Sequence, residues 1–410
     1  NTLVLCDVAA RLEANHALTL PYNPHTTAQL QEDSITDFRF GEQVRPTDVV
    51  LKDYTFKHPN WAAQAEKEAH ADDSRYQRLG YEHFDYPGRY KASHVGLDYA
   101  TYRLDQLRRD AHQGQGRSNS AQLCCGQLLS LTHHPHLPWN TLWQVTEVIC
   151  RGEQAQALEE EAQHTNQSTG TYLTTQFKVI PKNQNYRANV PQKPQIYAQT
   201  ATVTGPAGEE IYTDNYGRVK VQFHWDRAGK QDDHSSCWIR VAHPWAGQGW
   251  GMLALPRIGQ EVVVDFLDGD PDQPVITHRV YNALQIPPGN LPHTMTQMHI
   301  RSKTYKGNGY NSIMFDDATN DELFHQHAER DMETVVKHDQ RNFIKNHRTL
   351  DVDGSQTTTI GRGRTTTIET GNDIKTVLAG NNMETIALLK SILAKEIFQF
   401  ANDRIELEVG

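Results

Sequence analysis

The sequence is poor in cysteine, in uninterrupted apolar runs and in net positive charge. Its five cysteines, Cys6, Cys124, Cys125, Cys150 and Cys237, are odd in number, and no two have CxxC spacing. That pattern reads as reduced thiols and not as a disulfide framework or a zinc or redox motif. No stretch approaches the ~18 apolar residues of a membrane-spanning helix. Residues 1–10 lack the basic start of a secretory leader. The chain begins without Met and stops at Val409-Gly410 in mid-pattern, as expected for a piece of a longer protein. Lys and Arg number 40 against 50 Asp and Glu, a net charge of −10, so bulk electrostatics does not draw the chain to nucleic acid or an anionic membrane. Catalytic signatures are missing too: there is no GxSxG, HExxH, GxxxxGK[ST] or GxGxxG. Hydrophobic residues are 37% of the chain and charged residues 22%. The first value is low for a long, patterned chain and predicts an extended shape or burial shared between subunits. The second is too low for a charged disordered polymer.

What is present is mainly β pattern with some α, in two to four domains for 410 residues. Residues 1–190 are mixed. Val49 to Phe56 reads as a strand. Leu97, Ala100, Leu104, Leu107 and Ala111 recur at spacings of three and four, which predicts an amphipathic helix over 94–112 with Ser93 as N-cap. Gln127–Thr132 and Trp143–Cys150 form a strand pair around a turn at Pro135 and Pro138. Residues 151–169, with Glu159-Glu160-Glu161, are a solvated polar linker. Tyr172–Ile180 returns to strand pattern.

Residues 196–282 hold five short strand patterns: Ile196–Thr204, Arg218–Trp225, Cys237–His243, Glu261–Leu267 and Val275–Tyr281. Val219, Val221, Phe223 and Trp225 alternate with Lys220, Gln222 and His224, which predicts a core face and a polar face. Asp214-Asn215-Tyr216-Gly217 and Asp268-Gly269-Asp270-Pro271 are turns. Five such strands suit a small closed barrel of the OB type. Residues 283–330 are a connector that becomes strand-like at Asn311–Phe315 and Glu322–His327.

From 331 the pattern is a repeat. Val336, Ile344, Val352, Ile360 and Ile368 recur every eighth residue, and Thr357-Thr358-Thr359 returns as Thr365-Thr366-Thr367. Gly363, Gly371 and Gly380 follow at spacings of eight and nine. A short repeat of β-branched residues and glycine marks a β-solenoid. Each octad offers two or three apolar side chains, too few to offset the ordering of eight residues in one chain. Several copies wound around one axis would supply both a closed core and backbone partners, and would leave no exposed sheet edge. The period-eight residues are expected to point inward.

Tyr212 to Asp226, Trp238-Ile239-Arg240-Val241-Ala242, Trp245-Ala246-Gly247 with Gly249-Trp250-Gly251, Pro256 to Val262, and Asp268 to Ile276 together resemble the barrel of the valine-glycine repeat (VgrG) family. That family forms the trimeric spike of the type VI secretion system and is related to the hub and needle of contractile-tail phages. Val50 to Lys57 and Tyr86-Pro87-Gly88 resemble the later part of its hub domain, and residues 311–410 its connector and first prism repeats. His278 stands where the family pattern has glycine, and the octads drift to nine after Ile368. The resemblance implies a phage-tail-hub-like domain over 1–190, its first half missing, an OB-fold barrel over 196–282, a connector over 283–330, and the start of a trimeric β-prism needle over 331–410. It implies a non-enzymatic spike that punctures target membranes and delivers attached effectors. Its partners would be two further copies of itself, a tube of Hcp hexamers, and spike-tip and effector proteins, with transient contact to the target membrane and no nucleic acid. It would be cytoplasmic before firing and secreted afterwards. The alternatives are an "evolved" spike, whose missing C-terminal extension is an effector enzyme, and a phage baseplate hub.

No residue is assigned to catalysis, cofactor or metal. His133-His134-Pro135-His136 could ligate a metal, but Pro135 splits it, and a hairpin tip is the plainer reading. His325 and His327 share a strand face, and in three chains wound together six rings could meet on a metal, but a packed or solvated pair is the plainer reading. Cys124-Cys125 sits in a strand-like stretch with no paired His signature and reads as buried or inert thiols. Residues 196–282 carry 7 Lys/Arg against 11 Asp/Glu, whereas a nucleic-acid OB-fold needs a basic groove. Some phage needles carry a lysozyme between barrel and prism; the 48 positions of 283–330 leave no room for one.

Overall fold

The computed structural model describes residues 8–12, 16–25, 32–71, 77–154 and 172–406. Cys6 and most of the polar linker fall outside them. The chain divides into two units, Asn1–His299 with Thr304–Asn308, and Ile300–Lys303 with Gly309–Gly410.

The first unit begins with β1 (Leu18–Pro21), β2 (Ile35–Glu42), β3 (Asp48–Lys52), β4 (Gln64–Glu68), β5 (Glu82–Asp85), α1 (Ser93–Leu107), β6 (His112–Ser118), β7 (Leu128–Thr132), β8 (Leu142–Glu153) and β9 (Tyr172–Pro181). One sheet runs β1-β7-β8-β9-β6-β2, and a smaller one runs β4-β3-β5. The larger sheet buries Phe38, Leu129, Trp143, Val145, Phe177 and Val179. The smaller one packs Val49 and Leu51 against Tyr90 and against Ala100 and Leu104 of α1.

Four expectations need correction here. The helix stops at Leu107, and the chain turns through an Ala111 N–H bond to the Arg108 carbonyl before starting β6. Ala92 is its N-cap, and Leu97 is 52% exposed. Ala100 and Leu104 hold the inner face as predicted, but Gly96 stands there in place of Leu97, because the Tyr90 ring lies so close that a Cβ on Gly96 would meet it at 2.6 Å. The strand predicted over 49–56 ends at Lys52. There Asp53 turns inward, accepting the Tyr90 N–H at 2.8 Å and the Lys91 ammonium at 2.9 Å.

The barrel follows as β10 (Gln199–Thr204), β11 (Lys220–Phe223), β12 (Arg240–Val241), β13 (Glu261–Phe266) and β14 (Pro274–Val280), in the order β11-β10-β13-β14-β12. Its two edges meet. Val219 and Ile239 exchange backbone hydrogen bonds of 3.0 and 2.8 Å, which closes the sheet on itself. Val203, Val219, Val221, Ile239, Val262, Val264 and Ile276 fill the interior. The predicted core face holds at Val219 and Val221 but not at Trp225, which is 64% exposed. The strand ends at Phe223, so alternation no longer governs Trp225; its indole stacks on Phe223 and donates to Gln199 Oε1 at 2.7 Å.

β15 (Gln297–Arg301), β16 (Ser312–Asp316) and β17 (Leu323–His327) form a three-stranded sheet, with Phe315 against Phe324. Beyond it, described residues 331–406 carry no strand and no helix, and all of them are exposed.

Candidate functional site

Two places have the build of a working part. The first joins the N-terminal sheets to the barrel. Phe56, just past β3, stands edge-on to Tyr216 at 5.4 Å. The guanidiniums of Arg218 and Arg240 lie over its ring at 5.5 and 4.9 Å. Arg218 is held by Asp214 through Nε at 2.8 Å and Nη2 at 2.7 Å. The other Asp214 oxygen accepts the backbone N–H groups of Tyr216 and Arg218, both at 3.0 Å. Gly217, at φ 68°, makes that turn possible. The Asp-Asn-Tyr-Gly-Arg turn of the barrel is thus a socket, and Phe56 is its plug.

A second contact between the same two parts is made at Asp270, whose side chain is 2% exposed. Lys193 donates to it at 2.8 Å, the Asp272 amide at 3.0 Å, and Arg89 approaches to 3.3 Å. Burial alone would raise the Asp270 carboxyl, but the Lys193 hydrogen bond, the Asp272 amide and the two cations outweigh it and hold it below the ordinary carboxylate range. Arg89 comes from the N-terminal sheets, directly after Tyr86-Pro87-Gly88. The Asp-Gly-Asp-Pro turn is therefore a second lock, one buried carboxylate shared by two chain segments. A third contact ties the loop 304–308 back to the barrel: Lys306 donates from its ammonium to Glu209 at 3.2 Å and from its backbone to Glu210 at 3.0 Å, and Tyr305 Oη bonds Glu209.

The second place is the repeat. The backbone bends at 337–338, 345–346, 353–354, 361–362 and 369–371, each time just after Val336, Ile344, Val352, Ile360 or Ile368. Bends after Val377 and Ile386 continue the series. These seven side chains are 45–53% exposed, whereas Phe343, Leu378, Leu388 and Leu393 are 91–100% exposed. The period-eight residues thus share one environment in every turn. Their backbone groups have no strand ladder among the described residues, and a backbone of this length needs partners.

The sequence-predicted candidates fall elsewhere. His134 is buried between Tyr22 at 4.4 Å and Trp139 at 4.7 Å. Burial lowers its pKa, and its Nδ1 accepts the His136 amide at 3.0 Å. It is a stacking block in the turn between β7 and β8. His325 and His327 do share a face, their rings nearly parallel at 6.5 Å. His327 also stacks on Tyr310 and donates to its carbonyl at 3.0 Å, while Arg301 covers the other Tyr310 surface at 3.5 Å. Cys124 and Cys125 are exposed in a turn around Gly126, at φ 78°, not in a strand. Among the described residues, no group of three or more His, Cys, Asp and Glu converges as metal ligands would. No described helix is long and apolar enough to cross a membrane. Sequence reasoning missed Phe56, Arg89 and Asp270 as a joint. The paired turn motifs were visible, but nothing in them said which distant residues they would hold.

Three domain families match this order of parts. The phage tail baseplate hub (GPD) matches residues 1–156, the type VI secretion system/phage-baseplate injector OB domain residues 201–281, and the bacteriophage T4 gp5 C-terminal trimerisation domain residues 298–396. A hub, an injector barrel and a trimerisation module in one chain define the hub-and-spike class. Among curated proteins, the chain is 38% identical over 358 residues to the actin cross-linking toxin VgrG1 of Vibrio cholerae serotype O1, covering 87% of this chain and 32% of that protein. It is 40% identical to the type VI secretion system spike protein VgrG3 of Vibrio cholerae, over 82% of this chain and 33% of the other. It is 42% identical to the spike protein VgrG2a of Pseudomonas aeruginosa, over 69% of this chain and 33% of the other. The chain is VgrG-like, related to the hubs of phage tails, and spans about a third of the length of these relatives.

Proposed function

We propose that this chain is the hub, barrel and proximal shaft of a type VI secretion spike, and that its work is mechanical. The observation that carries the reading is the octad: a bend and a half-exposed aliphatic every eighth residue, on a backbone with no ladder among the described residues. Three copies wound together would pair that backbone and turn the aliphatics into a shared core, giving a stiff needle. In this reading residues 1–190 form the hub, 196–282 the barrel, 283–330 the connector and 331–410 the needle. The two locks at Phe56 and Asp270 hold hub and barrel as one block, so thrust on the hub reaches the barrel without a hinge. The chain has no catalytic role. Its partners are two further copies, a tube of Hcp hexamers below, and effectors carried on the spike. It is made in the cytoplasm and leaves through the secretion machine.

Light scattering of the purified chain should give three times 46.6 kDa. Deleting its gene should abolish Hcp export even in a strain lacking every effector gene. A stable monomer with an ordered 336–386 segment would overturn the reading. A second reading, an enzyme-bearing spike, is favoured by one relative, the toxin VgrG1, of which this chain matches 32%. It places any activity outside residues 1–410, so this chain should turn over neither peptidoglycan nor lipid.

A further inference from the structure

One face of α1 is aromatic and has no part in the core behind the helix. Tyr99, Tyr102 and Arg103 fall at spacings of three and four, so their side chains share a face. Both rings are half-exposed, whereas the core behind α1 is built on Ala100 and Leu104. Residues 187–193 run past that aromatic face on their way to the barrel. The Arg187 guanidinium lies over the Tyr102 ring at 4.6 Å, and Gln106 Nε2 donates to Asn189 Oδ1 at 3.2 Å. Between the helix, this segment and the Tyr86-Pro87-Gly88 turn lies a cavity of about 670 Å³, within the size range of ligand pockets. Its walls join three half-exposed rings, Tyr86, Tyr99 and Tyr102, to an aliphatic rim at Val190, which is 68% exposed.

The cavity is charged opposite to the chain. Arg89, Arg103, Arg187 and Lys193 line it against one carboxylate, Asp85, in a chain of net charge −10. Arg89 and Lys193 are committed to Asp270. Arg103 and Arg187 are paired more loosely: Arg103 Nη2 stands 3.8 Å from Asp85, and Arg187 Nε stands 3.7 Å from Asp105. Both distances exceed the ~2.7–2.9 Å of a charge-assisted hydrogen bond. The Nε of each guanidinium is buried with no hydrogen-bond partner among the described residues. Open buried donors are rare in a finished fold and suit a site that an outside acceptor completes. Two guanidiniums match one or two carboxylates, not the dense charge of a polyphosphate. The rings and Val190 suit an apolar side chain beside them.

We propose that this cavity takes a short acidic segment of a partner protein, in which a carboxylate stands next to an aromatic or aliphatic residue. Tyr99 and Tyr102 are carried by a helix and are in place before the segment arrives, which lowers the ordering cost of docking. The carboxylate pairs with Arg103 and Arg187, and the apolar side chain enters between the rings. All of the walls belong to one chain, so the site stands apart from the trimeric reading above.

The test selects octapeptides from a phage-displayed random library on the immobilised full chain and measures the enriched ones by fluorescence anisotropy. They should carry Asp or Glu beside Phe, Tyr, Trp, Leu or Ile, and their affinity should fall as salt rises. Tyr99→Ala with Arg103→Gln should weaken them about tenfold or more. Because that pair alters α1 itself, two further variants act at the rim and leave the helix as it is. Val190→Asp should weaken the peptides about tenfold, and Val190→Lys should not weaken them. Arg39→Gln, at a side chain 74% exposed on the larger sheet, should change nothing. Enriched peptides without acidic residues, acidic peptides indifferent to Val190→Asp, or a loss at Arg39→Gln would each overturn the proposal. So would inorganic tripolyphosphate that displaces every selected peptide and binds more tightly than any of them. A cavity already filled by a neighbouring copy would yield no peptide, and that result ends the proposal as well.

Discussion

The barrel and the repeat are written in the same alphabet, β-branched residues separated by glycine and aspartate, and they solve the same problem differently. In the barrel, Val203, Val221, Val262 and Val264 reach 0–1% exposure within one chain, because Val219 and Ile239 bring the sheet's edges together. In the repeat, Ile344, Val352 and Ile360 remain about half exposed although their spacing is more regular. Regular spacing does not close a core. Closure requires that the chain return beside itself, and an eight-residue step with a bend at its end only carries it forward. The difference separates a part that one chain can fold from a part that needs its copies.

The largest test of that difference is Ile360→Asp. In a three-fold core it sets up to three carboxylates near one axis, and each unpaired buried charge costs several kcal/mol. The trimer mass should be lost in light scattering. The barrel should keep its protease resistance, because no residue of its core lies in the repeat. If the variant assembles like the parent chain, the register built on Val336 and Ile368 is wrong.

The converse test is Ile276→Ala, at a site 1% exposed inside the barrel. Truncating a fully buried isoleucine costs about 3 kcal/mol. Urea titration followed by tryptophan fluorescence should show the barrel transition shifted by that amount while the trimer mass is unchanged in buffer. Loss of the trimer before the barrel melts would mean that the two parts are not separately stable.

A smaller effect is expected at the joint. Asp270→Asn removes the charge that Lys193 and Arg89 share, and about 2 kcal/mol of stability is expected to go with it. The pH dependence has a definite sign. Because the folded state holds the Asp270 carboxyl below its ordinary range, its contribution is complete above about pH 5 and is lost as pH falls through the unfolded value toward the folded one. The Asn variant should therefore show a flatter loss of stability below pH 5 than the parent chain. Equal slopes would remove Asp270 from the account.

How much of this was legible beforehand follows from the same physics. The barrel strands could be read from alternation and turn residues, since each is a local signal. The octads could be read because a repeat is visible in sequence alone. β6 could not: its buried face is Gly114, Gly116 and Ser118, which no hydrophobic pattern marks. Those glycines are there because Val179 and Phe177 fill the space a Cβ would need, at 2.8 and 2.6 Å. The helix was legible, and so were Ala100 and Leu104 on its inner face; Gly96 was not, because Tyr90 selects it over Leu97. The joint at Phe56 depends on partners some 160 residues away, and no local pattern encodes such a meeting.

The smallest expected effect is at Cys124. Its side chain is exposed in a turn whose geometry is set by backbone and Gln127: the Cys124 N–H donates to Gln127 Oε1 at 3.2 Å, and the Gln127 N–H to the Cys124 carbonyl at 3.3 Å. Neither bond uses the sulfur, so Cys124→Ala keeps both. An exposed substitution of this kind shifts stability by no more than about 0.5 kcal/mol. In a mechanical spike it should also leave Hcp export at the parent level, because Cys124 is not among the residues of the hub–barrel locks. A nucleophilic thiol behaves differently: export or any turnover that depends on it would fall by orders of magnitude on losing the sulfur while folding stayed intact. Measuring stability and export on the same variant separates the two cases, and a large loss of export without loss of stability would end the purely mechanical account.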